Sequence, residues 1–366
     1  MTSDTNAQPM SSAQAIWLVA EREIGSKLRS KAFMISTGIL LMIALAGVLI
    51  GGFASKSPST DAIAATPQTA SVVEALPNVE LTEVADRAAA EHLVLDDEVK
   101  AAVVPADDDP LGFVILAKED APTSLVMGLS QTPQVEVLQP AETNPFVRYL
   151  VAIGFGIVFL MAASTFGGTI AQSVVEEKQT RVVELLISAI PTRALLAGKV
   201  VGNTVLAMAQ IVLLAAIAVV GLIVTGQNEL LAGIGAPVLW FGVFFLFGFI
   251  LLAALYAAAA AMVSRQEDIG STTMPLMMLV MAPYFLVIFF NDNPLVLTIM
   301  SYVPFSAPVA MPVRLFVGEA QWWEPLLSLV ILLITCVGAI LVGAKIYQNS
   351  LLRMGARVRL GEALRG

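Results

Sequence analysis

"VVEEKQTRVVELL", residues 174–186, decides how this chain is built, because it is a dense cluster of charge between two long apolar runs. Residues 149–175 and 200–228 contain no Asp, Glu, Lys or Arg. Each run exceeds the roughly 20 apolar residues with which a helix crosses a bilayer. The cluster between them therefore stands in water at one membrane face. The whole chain agrees: of its 366 residues 57% are hydrophobic and 13% charged, against roughly 25% charged in soluble domains. The composition describes an all-α polytopic membrane protein.

Uncharged runs at 32–55, 149–175, 200–228, 230–264, 269–291 and 325–344 predict six transmembrane helices. A seventh run, 293–313, is interrupted by Pro294, Pro304, Pro308 and Pro312. Each proline removes a backbone donor that lipid cannot replace, so this segment reads as two short helices in an outer re-entrant hairpin, 293–317. Charge supports the count, since short cytoplasmic loops collect Lys and Arg. With six spans and both termini inside, fourteen of the 20 Lys and Arg lie on the cytoplasmic side. Seven spans would export the tail "RMGARVRLGEALR", residues 353–365. The expected order is a cytoplasmic N-terminus with a surface helix (1–33), the first span (34–55), an extracytoplasmic domain with linker (56–147), spans two to six (148–347) and a basic cytoplasmic tail (348–366). The location is the cell inner (cytoplasmic) membrane.

The outer segment predicts a small α/β domain. "VELTEVADRAAAEHLV" (79–94) places Leu81, Val84, Ala85, Ala88 and His92 at helical spacing, while "VKAAVV", "GFVILA" and "QVEVL" read as short strands. "SKSPSTDAIAATPQTAS" (55–71) reads as a linker. Asp107, Asp108 and Asp109 suggest a solvated turn rather than a cation site.

Two segments are amphipathic. Before the first span, "AIWLVAEREIGSKLRSKAF" aligns Trp17, Ala20, Ile24 and Leu28 on one stripe, with Arg22, Ser26 and Arg29 opposite and Lys27 beside them. That is the pattern of a helix lying on the inner membrane surface among anionic lipids. In the opening stretch, Glu177 and Arg181 stand at i and i+4 with Glu184 further on. Val182, Leu185, Leu186 and Ala189 form an apolar stripe, and Pro191 closes the helix. On chemistry alone this helix, 176–190, is either a docking surface or a solvated cap.

"AEREIGSKLRSKAF", "EEKQTRVVELLISAIPTRALLAGKVVG", "TMPLMMLVMAPYF", "SYVPFSAPVAMPVRL" and "IYQNSLLRMG", in this order, resemble membrane subunits of the ABC type-2 exporter family, closest to the sodium-extrusion permeases. The resemblance implies that the N-terminal amphipathic segment is an elbow helix. It also implies that the helix between spans two and three is a coupling helix docking into a separate cytoplasmic ABC ATPase through Glu176, Glu177, Lys178, Arg181, Glu184 and Leu185. A homodimer or a heterodimer with a similar permease would enclose the pathway.

Absences bound the rest. A phosphate-binding loop needs GxxxxGK[ST], and "RALLAGKVVG" offers only Gly198 and Lys199 with valine after them. No cofactor is expected on this chain, with ATP and Mg held by the partner ATPase. The resemblance thus implies a transport permease rather than an enzyme. Cys336 and His92 are each single in the sequence, too few for a disulfide, a zinc site or a catalytic triad. Neither a metal site nor a nucleic-acid partner is expected. Candidate pathway residues are Thr165, Thr169 and Gln172 on the second span and Asn203 and Gln210 on the third, because polar faces in lipid turn toward the bundle or a cavity; interhelical hydrogen bonding between packed spans is the commoner reason for such faces. Sodium rests on the resemblance. Export of lipid-like, drug or peptide substrates, or a membrane-anchored sensing protein with a ligand-binding outer domain, are the alternatives.

Overall fold

The computed structural model describes residues 11–54, 61–76, 79–106, 111–118, 123–129, 145–180, 182–351, 353 and 358–365. They belong to two compact units, one of residues 1–49 and 141–366, the other of residues 50–140.

The first helix, α1 (Ser12–Arg29), opens with a capping box in which Ser11 and Gln14 each bond the other's backbone N–H. Lys27 and Arg29 in its last turn suit the negative end of the helix dipole. Ser30 takes extended backbone and breaks the helix, after which α2 (Lys31–Ala54) runs as the first span. Its Met34, Ile39, Met42 and Ile43 are exposed, a surface suited to lipid.

The unit of residues 50–140 contains β1 (Asp61–Ala65), α3 (Ala70–Glu74), β2 (Val79–Glu83), α4 (Arg87–Leu95), β3 (Ala101–Pro105), β4 (Phe113–Leu116) and α5 (Thr123–Leu129). The strands form one sheet in the order β2-β1-β3-β4, with β1 parallel to β2 and β3, and β4 antiparallel to β3. Ala64, Ala102 and Val104 pack with Ala90 and Val94 of α4 on one face; Ile63, Ala65, Ala101 and Val103 pack with Val73 and Leu125 on the other.

Two expectations fail in this unit. The stretch read as a linker contains β1, a central strand. Covered on both faces, it carries apolar residues at the consecutive positions Ala62 to Ala65 and so shows no alternation. The helix expected over 79–94 is a strand followed by a helix. Val79, Thr82 and Val84 favour extended backbone, and Asp86 starts α4 by accepting the Ala89 N–H at 2.9 Å. "VKAAVV" and "GFVILA" do contain strands β3 and β4. "QVEVL" and Asp107, Asp108 and Asp109 lie outside the described residues.

The other unit continues with α6 (Pro145–Gln179), α7 (Val182–Ala189), α8 (Thr192–Val224), α9 (Asn228–Ala261), α10 (Ile269–Phe289), α11 (Pro294–Tyr302), α12 (Ala307–Val317), α13 (Glu324–Leu351) and α14 (Leu360–Arg365). Among the described residues six helices are long and apolar enough to cross a membrane: α2, α6, α8, α9, α10 with the turn before it, and α13. The chain is a multi-pass membrane protein. The proline-rich run forms α11 and α12, separated around Pro304, and α11 is capped by the Asn293 side chain.

Helix α9 is the centre, packed by α6, α8, α10, α12 and α13. Phe241, Phe245 and Phe249 recur every four residues along it and meet Phe155, Phe159 and Phe166 of α6 at ring separations of 4.8, 5.8 and 5.9 Å. Such pairs contribute about 0.5–1.5 kcal/mol each beyond their buried area. Its C-terminal alanines admit α13 closely: a Cβ on Gly343 would lie 3.1 Å from the Ala254 carbonyl oxygen. Small residues at helix interfaces allow this approach without polar glue.

Candidate coupling and pathway residues

The charged stretch 174–186 divides in two. Helix α6 ends at Gln179 and α7 begins at Val182, so Glu177 and Glu184 are not on one continuous helix as expected. The Thr180 hydroxyl donates to the Glu176 carbonyl at 2.8 Å, a local bond that competes with helix continuation. Pro191 stands between α7 and α8.

Before the break, the charges turn inward. Lys178 is buried, and its ammonium donates to the carbonyls of Ala261 at 2.8 Å and Ser350 at 2.9 Å. It thereby satisfies the C-terminal ends of both α9 and α13, where helices leave carbonyls unpaired and favour cations. Glu177 pairs with Arg22 of α1 and, at 3.0 Å, with Lys199 of α8. After the break, Val183 packs inward, but Glu184 is exposed and Leu185 is 74% exposed. Glu176 is exposed at the end of α6. Arg181 lies outside the described residues.

Lys199, fully buried, holds three partners: Glu23 of α1 at 2.7 Å, the Ser173 hydroxyl at 2.7 Å and Glu177. Glu23 is 5% exposed and also faces Arg22 at 3.3 Å. Burial pushes the Glu23 carboxyl up, but the Lys199 ammonium and the Arg22 guanidinium outweigh it and hold the group below its ordinary value. Burial acts against the Arg22 charge as well, and Glu177 and Glu23 more than compensate, so its pKa is raised. The packing beneath is as specific as the charges. A Cβ on Gly198 would lie 2.4 Å from the Val19 Cβ, and one on Gly202 would lie 2.9 Å from the Ala20 carbonyl oxygen. The residues that failed as a phosphate loop are the groove into which α1 fits.

This corrects the apolar stripe read on α1. The face turned to the protein is Ala15, Val19, Ala20 and Glu23, whereas Trp17 and Leu28 are exposed, Ile24 and Lys27 half-buried, and Arg29 exposed. Only small side chains allow the backbone approach at Gly198 and Gly202. Glu23 and Lys199 were missed as a pair. The available signals were an acid on the inner side of a basic helix and glycines four residues apart around a lysine.

Of the pathway candidates, the structure joins Thr169 and Asn203, whose side chains stand 3.4 Å apart across α6 and α8. Asn203 is buried and donates to the Lys199 carbonyl at 2.9 Å. Gln210 is buried two turns further along α8 on the same face as Asn203, while Thr165 and Gln172 are exposed on α6.

A second buried charge group went unpredicted. Arg314 of α12 pairs with Glu324 of α13 at 2.9 Å and donates to Ser301 at 2.9 Å. Glu324 also accepts from the Tyr302 hydroxyl at 2.9 Å and the Gln321 N–H at 2.6 Å. Nearby in sequence, Glu319 pairs with Arg148 at 3.2 Å.

The family model for the ABC-2 family transporter protein matches residues 31–345. The chain belongs to this family. Membrane proteins of the ABC-2 family are non-catalytic permease components that typically work with a separate ATPase subunit. The chain is 28% identical over 218 residues to the Bacillus subtilis (strain 168) uncharacterized protein YhaP, covering 55% of this chain and 52% of that one. It is 27% identical over 213 residues to the Methanocaldococcus jannaschii uncharacterized protein MJ1024, covering 58% and 52%. Each match thus spans about half the relative's length. No solved structure matches the chain.

Proposed function

We propose that this ABC-2 family protein is the permease subunit of an ATP-driven exporter, working as a dimer and docking through α7 onto a separate cytoplasmic ATPase. The observation that carries the reading is the contrast along one charged stretch. Glu177 and Lys178 are held inside the bundle, while Glu176, Glu184 and Leu185 are presented outward on and beside an eight-residue helix between two spans. A solvated cap gains nothing from a leucine that is 74% exposed beside charge; an interface does, since apolar anchors with a polar rim are what partner surfaces use.

In this reading the side with more Lys and Arg is cytoplasmic, both termini lie there, and the sheet unit lies outside. α1 rests at the membrane surface with Trp17 and Leu28 toward lipid and Arg29 near headgroups. Closure of the ATPase pair moves α7, and the spans shift between inward-open and outward-open arrangements. Sodium is the substrate that the resemblance to sodium-extrusion permeases favours. The pathway then takes its polar contacts from hydroxyls, amides and carbonyls such as those of Thr169 and Asn203.

The test is reconstitution of the chain, in vesicles with radiosodium, together with an ABC ATPase of the same cell that co-purifies with it. ATP-dependent sodium movement is the expected result. ATP turnover that moves another solute and not sodium would overturn the substrate, and a chain that recruits no ATPase would overturn the permease reading itself.

A further inference from the structure

The Lys199 cluster is larger than a packing interaction requires. Two carboxylates, Glu23 and Glu177, and two cations, Arg22 and Lys199, alternate around a closed ring that draws on α1, α6 and α8. The ring sits against a glycine groove. Gly198 and Gly202 flank Lys199 and leave no space between α8 and α1 for a side chain. Glu177 lies five residues before α7 begins, and its neighbour Lys178 bonds the ends of α9 and α13. The root of α7 is thus tied on one side to α1 and α8 and on the other to the centre of the bundle.

We infer that Glu23 and Lys199 are positioning residues of the coupling step: they clamp α1 to α8 and, through Glu177, to the root of α7, so that force on α7 moves α1, the end of α6 and the start of α8 as one body. The physical ground is charge balance around Lys199 and Glu23, which are both buried. Removing either partner leaves the remaining three charges with a net charge of one around a buried site, whereas removing both leaves the Arg22 and Glu177 pair neutral by itself. α1 then acts as a transmission element as well as a membrane anchor. This rests on the reading of α7 as the ATPase-docking helix.

The test has one arm that needs no partner and one that does. In a Cys336→Ser background a spin label is placed at Trp17→Cys, on the exposed side of α1, and its mobility is measured in the full chain in nanodiscs. Glu23→Gln and Lys199→Met each raise the mobility. The double variant lies closer to the parent than either single one, which is the signature of direct pairing. Gly202→Ala, which retains every charge, also raises it by wedging α1 away, and Glu21→Gln leaves it unchanged. In the second arm, the complex with the ATPase keeps its partner in the single variants, because Glu176, Glu184 and Leu185 are untouched. It loses permease-dependent ATP turnover, and the double variant regains part of it. Unchanged label mobility in both single variants would overturn the clamp. Raised mobility with full turnover would overturn its role in coupling. If the parent chain binds no ATPase, the docking reading fails, and the clamp is still decided by the label.

Discussion

The two buried charge groups of the membrane unit are built on opposite principles. Arg314 and Glu324 are 10 residues apart and sit on successive helices, so their bonds form as α12 folds back against α13. Lys199 and Glu23 are 176 residues apart and meet only when α1 has packed onto α8. Alternation of the spans puts the first group at the membrane face opposite the second. One staples a local hairpin; the other reports that the bundle has assembled. The difference teaches where rigidity is local and where it depends on the position of whole helices.

The largest expected effect is at the local staple. Glu324→Gln leaves Arg314 buried with its charge unpaired, and breaking such a pair costs about 3–5 kcal/mol. Thermal unfolding of the purified protein in detergent should show this as the lowest midpoint of the series; a midpoint equal to the parent's would mean that the pair is solvated. Next comes Lys178→Met, which removes the bonds to two carbonyls together with the charge itself, so that no charge is left unpaired and the cost is smaller, roughly 1.5–3 kcal/mol in all. Hydrogen exchange should rise at the last turns of α9 and α13 together. A rise in one alone would break the claim that the lysine joins them.

A smaller effect is the pH dependence of the Lys199 group. Because the Glu23 carboxyl is held below its ordinary value of 4.5, its contribution is fully present above that value and is lost as pH falls through the lower, folded-state pKa. A label on α1 should therefore stay immobile down to mildly acidic pH and loosen only below it. Loosening near neutrality would contradict the ion pairing. The smallest effect on stability belongs to Glu184→Lys, an exposed change expected to stay within about 0.5 kcal/mol, as read by the same unfolding midpoint.

The six spans were legible because lipid imposes length and apolarity on each, and the short hairpin helices because proline punctuates them. β1 was hidden for a physical reason: the alanines of "DAIAA" that suit a strand packed on both faces resemble those of a linker. The site was legible in part. Position along the chain indicated that charge gathers between α6 and α8, but not that Lys178 would find the carbonyls of Ala261 and Ser350, since a backbone acceptor leaves no mark in sequence. Glu23 was obscured in the same way, by a helix whose small residues, rather than its tryptophan, face the protein.

If α7 and Glu176, in the last turn of α6, are a docking surface, one measurement shows it most directly. Glu176→Lys with Glu184→Lys reverses two exposed charges and touches none of the buried pairs. Like charges facing each other at an interface cost several kcal/mol, so the ATPase should be lost from the purified complex, with its turnover, while the variant inserts and unfolds as the parent does. Full retention of the ATPase with unchanged turnover would contradict the account and make this stretch a solvated cap.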